Sequence, residues 1–159
     1  MRVWDATNYC LLKEAYAPGA PPIGYAKFTP NGQYILSGTF DSVVRLWKAD
    51  TDVLTTVKQF PSASSTEPSM YKNSGFCLPV TFTQDSTVKK MIVTASEDVN
   101  ASIVMFCASD KKNKMLTLHG HVDTVLALDC GRMDNGKDIL ISGGGVKDCS
   151  IKLWEQAVI

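Results

Sequence analysis

Four short segments of this chain end alike: Met1-Arg-Val-Trp4-Asp5, Val43-Val-Arg-Leu-Trp47, Ser102-Ile-Val-Met-Phe106 and Ser150-Ile-Lys-Leu-Trp154. Each is a short alternating run closed by a large aromatic. The aromatics stand 43, 59 and 48 residues apart. Self-similarity at this interval constrains the fold more than any other feature does. It predicts a stacked array of one small unit, not 159 residues wound around one core.

The unit is plainest near the end of the chain. Thr124–Asp129 reads as a first strand, and Arg132–Lys137 as a polar turn with Asn135-Gly136 at its centre. Asp138–Ser142 reads as a second strand and Ser150–Trp154 as a third, with Ile151 and Leu153 facing opposite to Lys152. Between them, Gly143–Cys149 reads as a flexible, glycine-rich turn. An earlier copy follows the same plan: Gly24–Thr29, a turn at Pro30-Asn31-Gly32, Tyr34–Ser37, a turn around Asp41, Val43–Trp47, and an outer strand at Val53–Lys58. The middle copy gives Phe76–Thr83, Lys90–Ala95, Ser102–Cys107 and Lys114–Leu118. Beta-branched residues dominate these runs, and no stretch holds a 3.6-residue period beyond two turns. A repeating four-stranded unit of about this length is a propeller blade. The expected fold is all-β: a β-propeller segment of about three four-stranded antiparallel blades, forming an incomplete ring.

The whole chain, 1–159, is then one repeat segment. Residues 1–14 end a preceding blade, with an outer strand at Tyr9–Glu14. Repeats follow at 15–59, 60–118 and 119–159. The long middle spacing comes from Pro61-Ser-Ala-Ser-Ser-Thr-Glu-Pro68-Ser, a small, polar, proline-bearing stretch within an insertion at 61–72.

Composition narrows the function classes. Lys plus Arg and Asp plus Glu are both 16, so the formal net charge is zero. Broad electrostatic attraction to nucleic acid or an anionic membrane has no support. No apolar run approaches the roughly 20 residues of a membrane span. Met1 runs straight into a strand, so no signal peptide is expected. The five cysteines, Cys10, Cys77, Cys107, Cys130 and Cys149, form no Cys-x-x-Cys pair. They read as buried reduced thiols, in keeping with the nucleus or cytoplasm.

The most specific constellation is Gly120-His121, Ser142, Asp148 and Trp154. A buried indole N–H needs an acceptor, a hydroxyl can relay, and a His–Asp pair fixes a tautomer and a turn. With these residues the chain resembles the WD-repeat β-propeller family, and the resemblance implies that the four side chains link by hydrogen bonds. The earlier repeats are degraded. Residues 15–59 keep Ser37, Asp41 and Trp47 but have Pro18–Pro22 where Gly-His is expected. Residues 60–118 keep Thr94 or Ser96 and Asp98, have Gln59-Phe60 in place of Gly-His, and have Phe106 in place of the tryptophan. That blade should be held more by packing.

Pro21-Pro-Ile-Gly-Tyr-Ala-Lys-Phe-Thr-Pro-Asn-Gly-Gln-Tyr-Ile-Leu36, Phe76-Cys-Leu78, Ser96-Glu-Asp98 and Ile151-Lys-Leu-Trp154 narrow the likeness. They are similar to the last three repeats of the seven-bladed WD-repeat scaffold of histone lysine methyltransferase complexes. This resemblance implies a non-catalytic protein-interaction scaffold in chromatin, located in the nucleus. The partners it implies are proteins or peptides: methyltransferase complex subunits or a histone tail, without direct contact to nucleic acid or membrane. The alternative is an adaptor in another assembly, such as a ubiquitin ligase, RNA-processing or cytoskeletal complex. The scaffold's central opening captures arginine-bearing peptides between two phenylalanines. Phe76 and Cys77 match residues at that opening, but Pro79 stands where one phenylalanine belongs and Gly24 where a lining serine belongs. A second surface grips an extended acidic-hydrophobic segment, and Asn31, Tyr34 and Leu46 match residues there. Read without the resemblance, Asn31-Gly32 is simply a good turn, and Tyr34 and Leu46 are ordinary strand residues.

Nothing points to catalysis, a metal or a cofactor. His119, His121 and Asp123 lie within five residues, but no cysteine or third histidine is near, and His121 already has a structural place. Gly143-Gly-Gly145 lacks the Gly-Lys-Ser/Thr ending of a phosphate loop and no helix follows it. No Ser-His-Asp or Cys-His arrangement falls on identifiable elements. Strand accounting leaves the ring open: a closed seven-bladed ring needs roughly 300 residues. The chain then exposes strand edges and apolar blade faces at both ends.

Overall fold

A computed structural model describes residues 1–29, 31–41, 43–61, 74–81, 88–95, 103–107 and 115–155, with side chains described for most of them. Within these, all regular structure is strand. In chain order the strands are β1 (Arg2–Trp4), β2 (Leu11–Glu14), β3 (Ile23–Phe28), β4 (Tyr34–Thr39), β5 (Val43–Lys48), β6 (Thr55–Pro61), β7 (Ser74–Thr81), β8 (Val88–Ala95), β9 (Ile103–Cys107), β10 (Met115–Leu118), β11 (Val125–Arg132), β12 (Asp138–Gly144) and β13 (Ile151–Glu155).

They form four antiparallel sheets in sequence: β1-β2, β3-β4-β5-β6, β7-β8-β9-β10 and β11-β12-β13. Every strand pairs with its neighbour in the chain, as short turns dictate. The turns themselves repeat. Asn31 Oδ1 accepts from the Gln33 N–H at 3.2 Å and Asn135 Oδ1 from the Lys137 N–H at 3.0 Å. The following glycines, Gly32 and Gly136, take φ of 69° and 79°, a conformation that favours glycine.

Three hydrophobic clusters fill the gaps between successive sheets. Met1, Val3 and Ala17 meet Ile35, Trp47 and Leu54. Leu36, Val44 and Phe60 meet Ile92 and Phe106. Val93, Ala95, Ile103 and Met105 meet Val125, Leu128 and Leu140, with Trp154 packed alongside. Strand alternation explains the division: in β4, Ile35 faces back to the β1-β2 sheet and Leu36 faces forward. The central strands of the middle sheets, β4, β5, β8 and β9, are therefore buried on both faces, which is why they read as near-continuous apolar runs.

The register makes the repeat quantitative. Leu36 pairs with Leu46, Val93 with Met105 and Ile141 with Leu153. One step along, Val44, Ile103 and Ile151 occupy equivalent positions opposite Gly38, Ala95 and Gly143. Backward-facing partners are Ile35–Trp47, Ile92–Phe106 and Leu140–Trp154. This is the all-β, incomplete propeller segment that the repeat interval predicts.

Three expectations need correction. The outer strand expected at Val53–Lys58 runs instead from Thr55 to Pro61. Phe60 draws it onward, because its ring is fully buried with Phe106, centroids 5.3 Å apart. Gly143 and Gly144 are not a flexible turn but the end of β12. The thiols described are not buried: Cys10 and Cys149 are exposed and Cys130 is half-buried, and none of the three is in a disulfide. Cys10 borders a turn and Cys149 sits in one with φ of 49°, so neither side chain reaches a core. Cys77 and Cys107 have side chains outside the described residues.

Candidate functional site

The last sheet brings His121, Ser142, Asp148 and Trp154 together. Trp154 Nε1 donates to Ser142 Oγ at 2.8 Å. Ser142 Oγ lies 2.6 Å from His121 Nε2, and His121 Nδ1 bonds Asp148 Oδ2. The His121 side chain is completely buried. One arrangement satisfies every donor: the indole N–H to the serine oxygen, the serine hydroxyl to Nε2, and Nδ1–H to the carboxylate. Asp148 Oδ1 also accepts from Ser150 Oγ at 2.7 Å. The Ser150 and His121 bonds hold the Asp148 carboxyl below its ordinary pKa.

Glycines make this approach possible. A Cβ on Gly144 would collide with the Asp148 carboxylate, and one on Gly120 would stand 2.9 Å from the Trp154 ring. Asp123 ties the same corner from the other side. Its carboxylate accepts from the Lys147 N–H at 2.9 Å and the Thr124 N–H at 2.8 Å, and these bonds lower its pKa.

The first four-stranded sheet solves the same problem without a histidine. Trp47 Nε1 donates to Ser37 Oγ at 2.8 Å, both residues buried. Asp41, the counterpart of Asp148, is held by Arg45 instead, and Arg45 also donates to Thr39 Oγ1. Arg45 is 3 % exposed. Burial opposes ionisation of Asp41, but the Arg45 and Thr39 bonds outweigh it and lower its pKa. Thr39 stands where the last sheet has Gly144, so a hydroxyl fills the space that Asp148 takes there. Sequence reasoning missed Arg45; the signal was a basic residue two before Trp47, opposite Ser37. In the middle sheet Thr94 is buried at the serine position. Phe106, which pairs with Ile92 on the neighbouring strand, brings no N–H, and packing replaces the bond.

The sites suggested for partner binding lie apart from these networks. Asn31 is exposed in the β3–β4 turn, Tyr34 opens β4 half-buried, and Leu46 packs beside the forward-facing cluster. Tyr34 and Leu46 share one face of the sheet, since Tyr34 pairs with Lys48 and Leu36 with Leu46. Phe76 and Cys77 fall on β7, opposite Ile92 and Met91; their side chains lie outside the described residues. Pro79 coincides with a break in the β7–β8 register between Cys77 and Val80, as a residue lacking an N–H requires. Gly24 is crowded: a Cβ there would meet the Phe40 ring at 2.9 Å, so a serine would need Phe40 to move. The inner strands β3 and β11 are bridged by Lys27 Nζ to Asp129 Oδ1 at 2.6 Å. The bond raises the Lys27 pKa and lowers that of Asp129. Among the described residues no three His, Cys, Asp or Glu side chains converge as a metal site.

Sheets stacked face to face, the three larger ones carrying a hydroxyl and an aromatic at equivalent positions, define a propeller-type repeat protein. Residues 18–48 and 112–155 match the family described as "WD domain, G-beta repeat"; both the Arg45 and the His121 networks fall within these matches. Among solved structures, a chain of "Crystal Structure of Mitotic Checkpoint Complex" is similar over 97% of this chain, with a TM-score of 0.67 and 16% identity. This chain spans 40% of that one. At such identity the likeness concerns the fold. With 220 solved chains matching, the fold by itself selects no partner.

Proposed function

We propose that the chain is a non-catalytic protein-interaction scaffold that works as part of a multiprotein complex. The observation that carries this is the pair of WD-repeat matches at 18–48 and 112–155. Their polar side chains are spent on locking blades, as in His121–Asp148 and Arg45–Asp41. What remains for function is surface: strand edges, turns and blade faces.

The finer reading is a chromatin role in the nucleus, as a histone methyltransferase complex subunit or a fragment of one. The likeness of residues 21–36, 76–78, 96–98 and 151–154 to that scaffold supports it. On this reading Asn31, Tyr34 and Leu46 grip an extended acidic-hydrophobic peptide. Their common position at one end of the first four-stranded sheet supports such a surface. An adaptor role in a ubiquitin ligase, RNA-processing or cytoskeletal complex fits the repeats equally well. The repeat matches at 18–48 and 112–155 support that second reading as much as the first.

The test is titration of an acidic-hydrophobic peptide against the chain and against Tyr34→Ala/Leu46→Ala. Binding that is lost in the variant, with its circular dichroism unchanged, is the expected result. Equal affinity for both chains removes this surface. Pull-down with mass spectrometry then separates the two readings: methyltransferase subunits favour the first, another assembly the second.

A further inference from the structure

Lys27 and Asp129 hold the same place in two different repeats. Lys27 pairs with Leu36 across β3–β4, and Asp129 pairs with Ile141 across β11–β12. Leu36 and Ile141 are themselves equivalent, since they pair with Leu46 and Leu153 on the next strands. In the middle sheet this position falls on Gly75, opposite Val93, and glycine has no side chain. The row therefore reads cation, glycine, anion. The outer two meet: Lys27 Nζ lies 2.6 Å from Asp129 Oδ1, although another sheet stands between theirs in the stack.

The three strands concerned, β3, β7 and β11, each end their sheet. Among the described residues, each therefore has one edge without a partner strand. Such rows of N–H and C=O groups are open to an added strand, and proteins guard them with charged side chains. β7 lies against both β3 and β11, and the Lys27–Asp129 bond joins these two directly. We propose that Lys27–Asp129 is an electrostatic strap: it holds β7 between β3 and β11, and ionic strength or loss of either charge releases it. The inference goes beyond the scaffold reading and does not depend on it.

Exposure decides what the contact can do. The two side chains are 46 % and 63 % exposed, and an ion pair so open to water adds little to global stability. It is enough to bias a local opening, and opening is easiest where a strand is bonded on one side only. The same exposure lets dissolved ions reach the pair and weaken it. Burial would have made it a fixed part of the fold, as it does for Arg45–Asp41, where the Arg45 side chain is 4 % exposed.

Hydrogen exchange of the 159-residue chain, read amide by amide, tests this. Lys27→Met and Asp129→Asn should each speed exchange of the β7 amides about two- to fivefold relative to those of β5 and β12. Lys27→Asp/Asp129→Lys keeps the pair with its charges reversed, and should return the β7 rates close to those of the unmodified chain. A measurement without substitution guards against a variant that folds poorly. Raising salt from about 0.01 M to about 1 M should speed β7 exchange relative to β5 and β12 in the unmodified chain, and should leave that ratio unchanged in Lys27→Met. A β7 ratio indifferent to salt, single variants that exchange like the unmodified chain, a reversed pair that behaves like the single variants, or equal speeding in β5, β7 and β12 would each overturn the strap.

Discussion

Ser142 stands between Trp154 and His121, accepting the indole N–H at 2.8 Å and lying 2.6 Å from the imidazole Nε2. One buried hydroxyl thus serves two rings that come from different parts of the repeat. Ser37 serves Trp47 alone in the first four-stranded sheet. The same residue type carries one ring in one sheet and two in another.

That difference predicts unequal costs. Ser142→Ala strands a half-buried indole N–H and a buried imidazole nitrogen, and each orphaned buried group costs about 1–3 kcal/mol, less where water reaches it. Ser37→Ala strands only the Trp47 N–H. Urea unfolding should show the larger loss for Ser142→Ala. A larger loss at Ser37 would mean that the histidine contact adds nothing.

Gly144→Ala should be among the worst single-methyl additions in the chain, because its Cβ would meet the Asp148 carboxylate. Gly131→Ala is the control: its Cβ would find only Ile139 at an ordinary 3.9 Å. Thermal midpoints should fall by several degrees for the first and move little for the second. Equal shifts would remove the crowding argument.

The Arg45–Asp41 pair predicts partial rescue. Arg45→Met leaves a carboxylate facing a half-buried pocket without its cation, while Asp41→Asn/Arg45→Met removes both charges. Breaking one partner of such a pair costs more than replacing both. Chemical denaturation should therefore find the double variant more stable than Arg45→Met. If it is less stable, the guanidinium is held by Thr39 alone.

Stability should fall on the acid side. Asp148, Asp123 and Asp41 all have folded-state pKa values below their ordinary ones. Between the folded value and the unfolded value of about 3.9, the unfolded chain binds more protons, so stability rises with pH there. The contribution is complete above the unfolded value and disappears as pH falls through the folded one. Asp148→Asn should flatten this acid limb in urea midpoints taken between about pH 5 and pH 2. An unchanged slope would mean that Asp148 titrates alike in both states.

Much of this architecture was legible from spacing. Aromatics at positions 4, 47, 106 and 154 gave the sheet order because each closes a strand of the same rank, and period-2 alternation located the strands to within a few residues. The coming together of His121, Ser142, Asp148 and Trp154 was readable through the resemblance to the WD-repeat family, and the donor and acceptor roles of these residue types agree with it. Arg45 was not readable. A basic residue on an alternating strand ordinarily points to solvent, and only register with Ser37, together with the Thr39 hydroxyl, turns it inward. Gly144 was misread for a similar reason: a glycine run signals freedom unless a neighbouring carboxylate is known to need the space. The extension of β6 to Pro61 depended on Phe60 meeting Phe106 across 46 residues, a contact that local pattern does not contain.

The account rests on the networks locking the first four-stranded sheet and the last sheet, and the His121–Asp148 contact is its least ambiguous instance. A double-mutant cycle with His121→Ala, Asp148→Ala and the double variant, read by urea unfolding, measures the coupling directly. Residues sharing one network should show an interaction energy of about 0.5–3 kcal/mol. Strictly additive losses would contradict the lock and the blade geometry built on it.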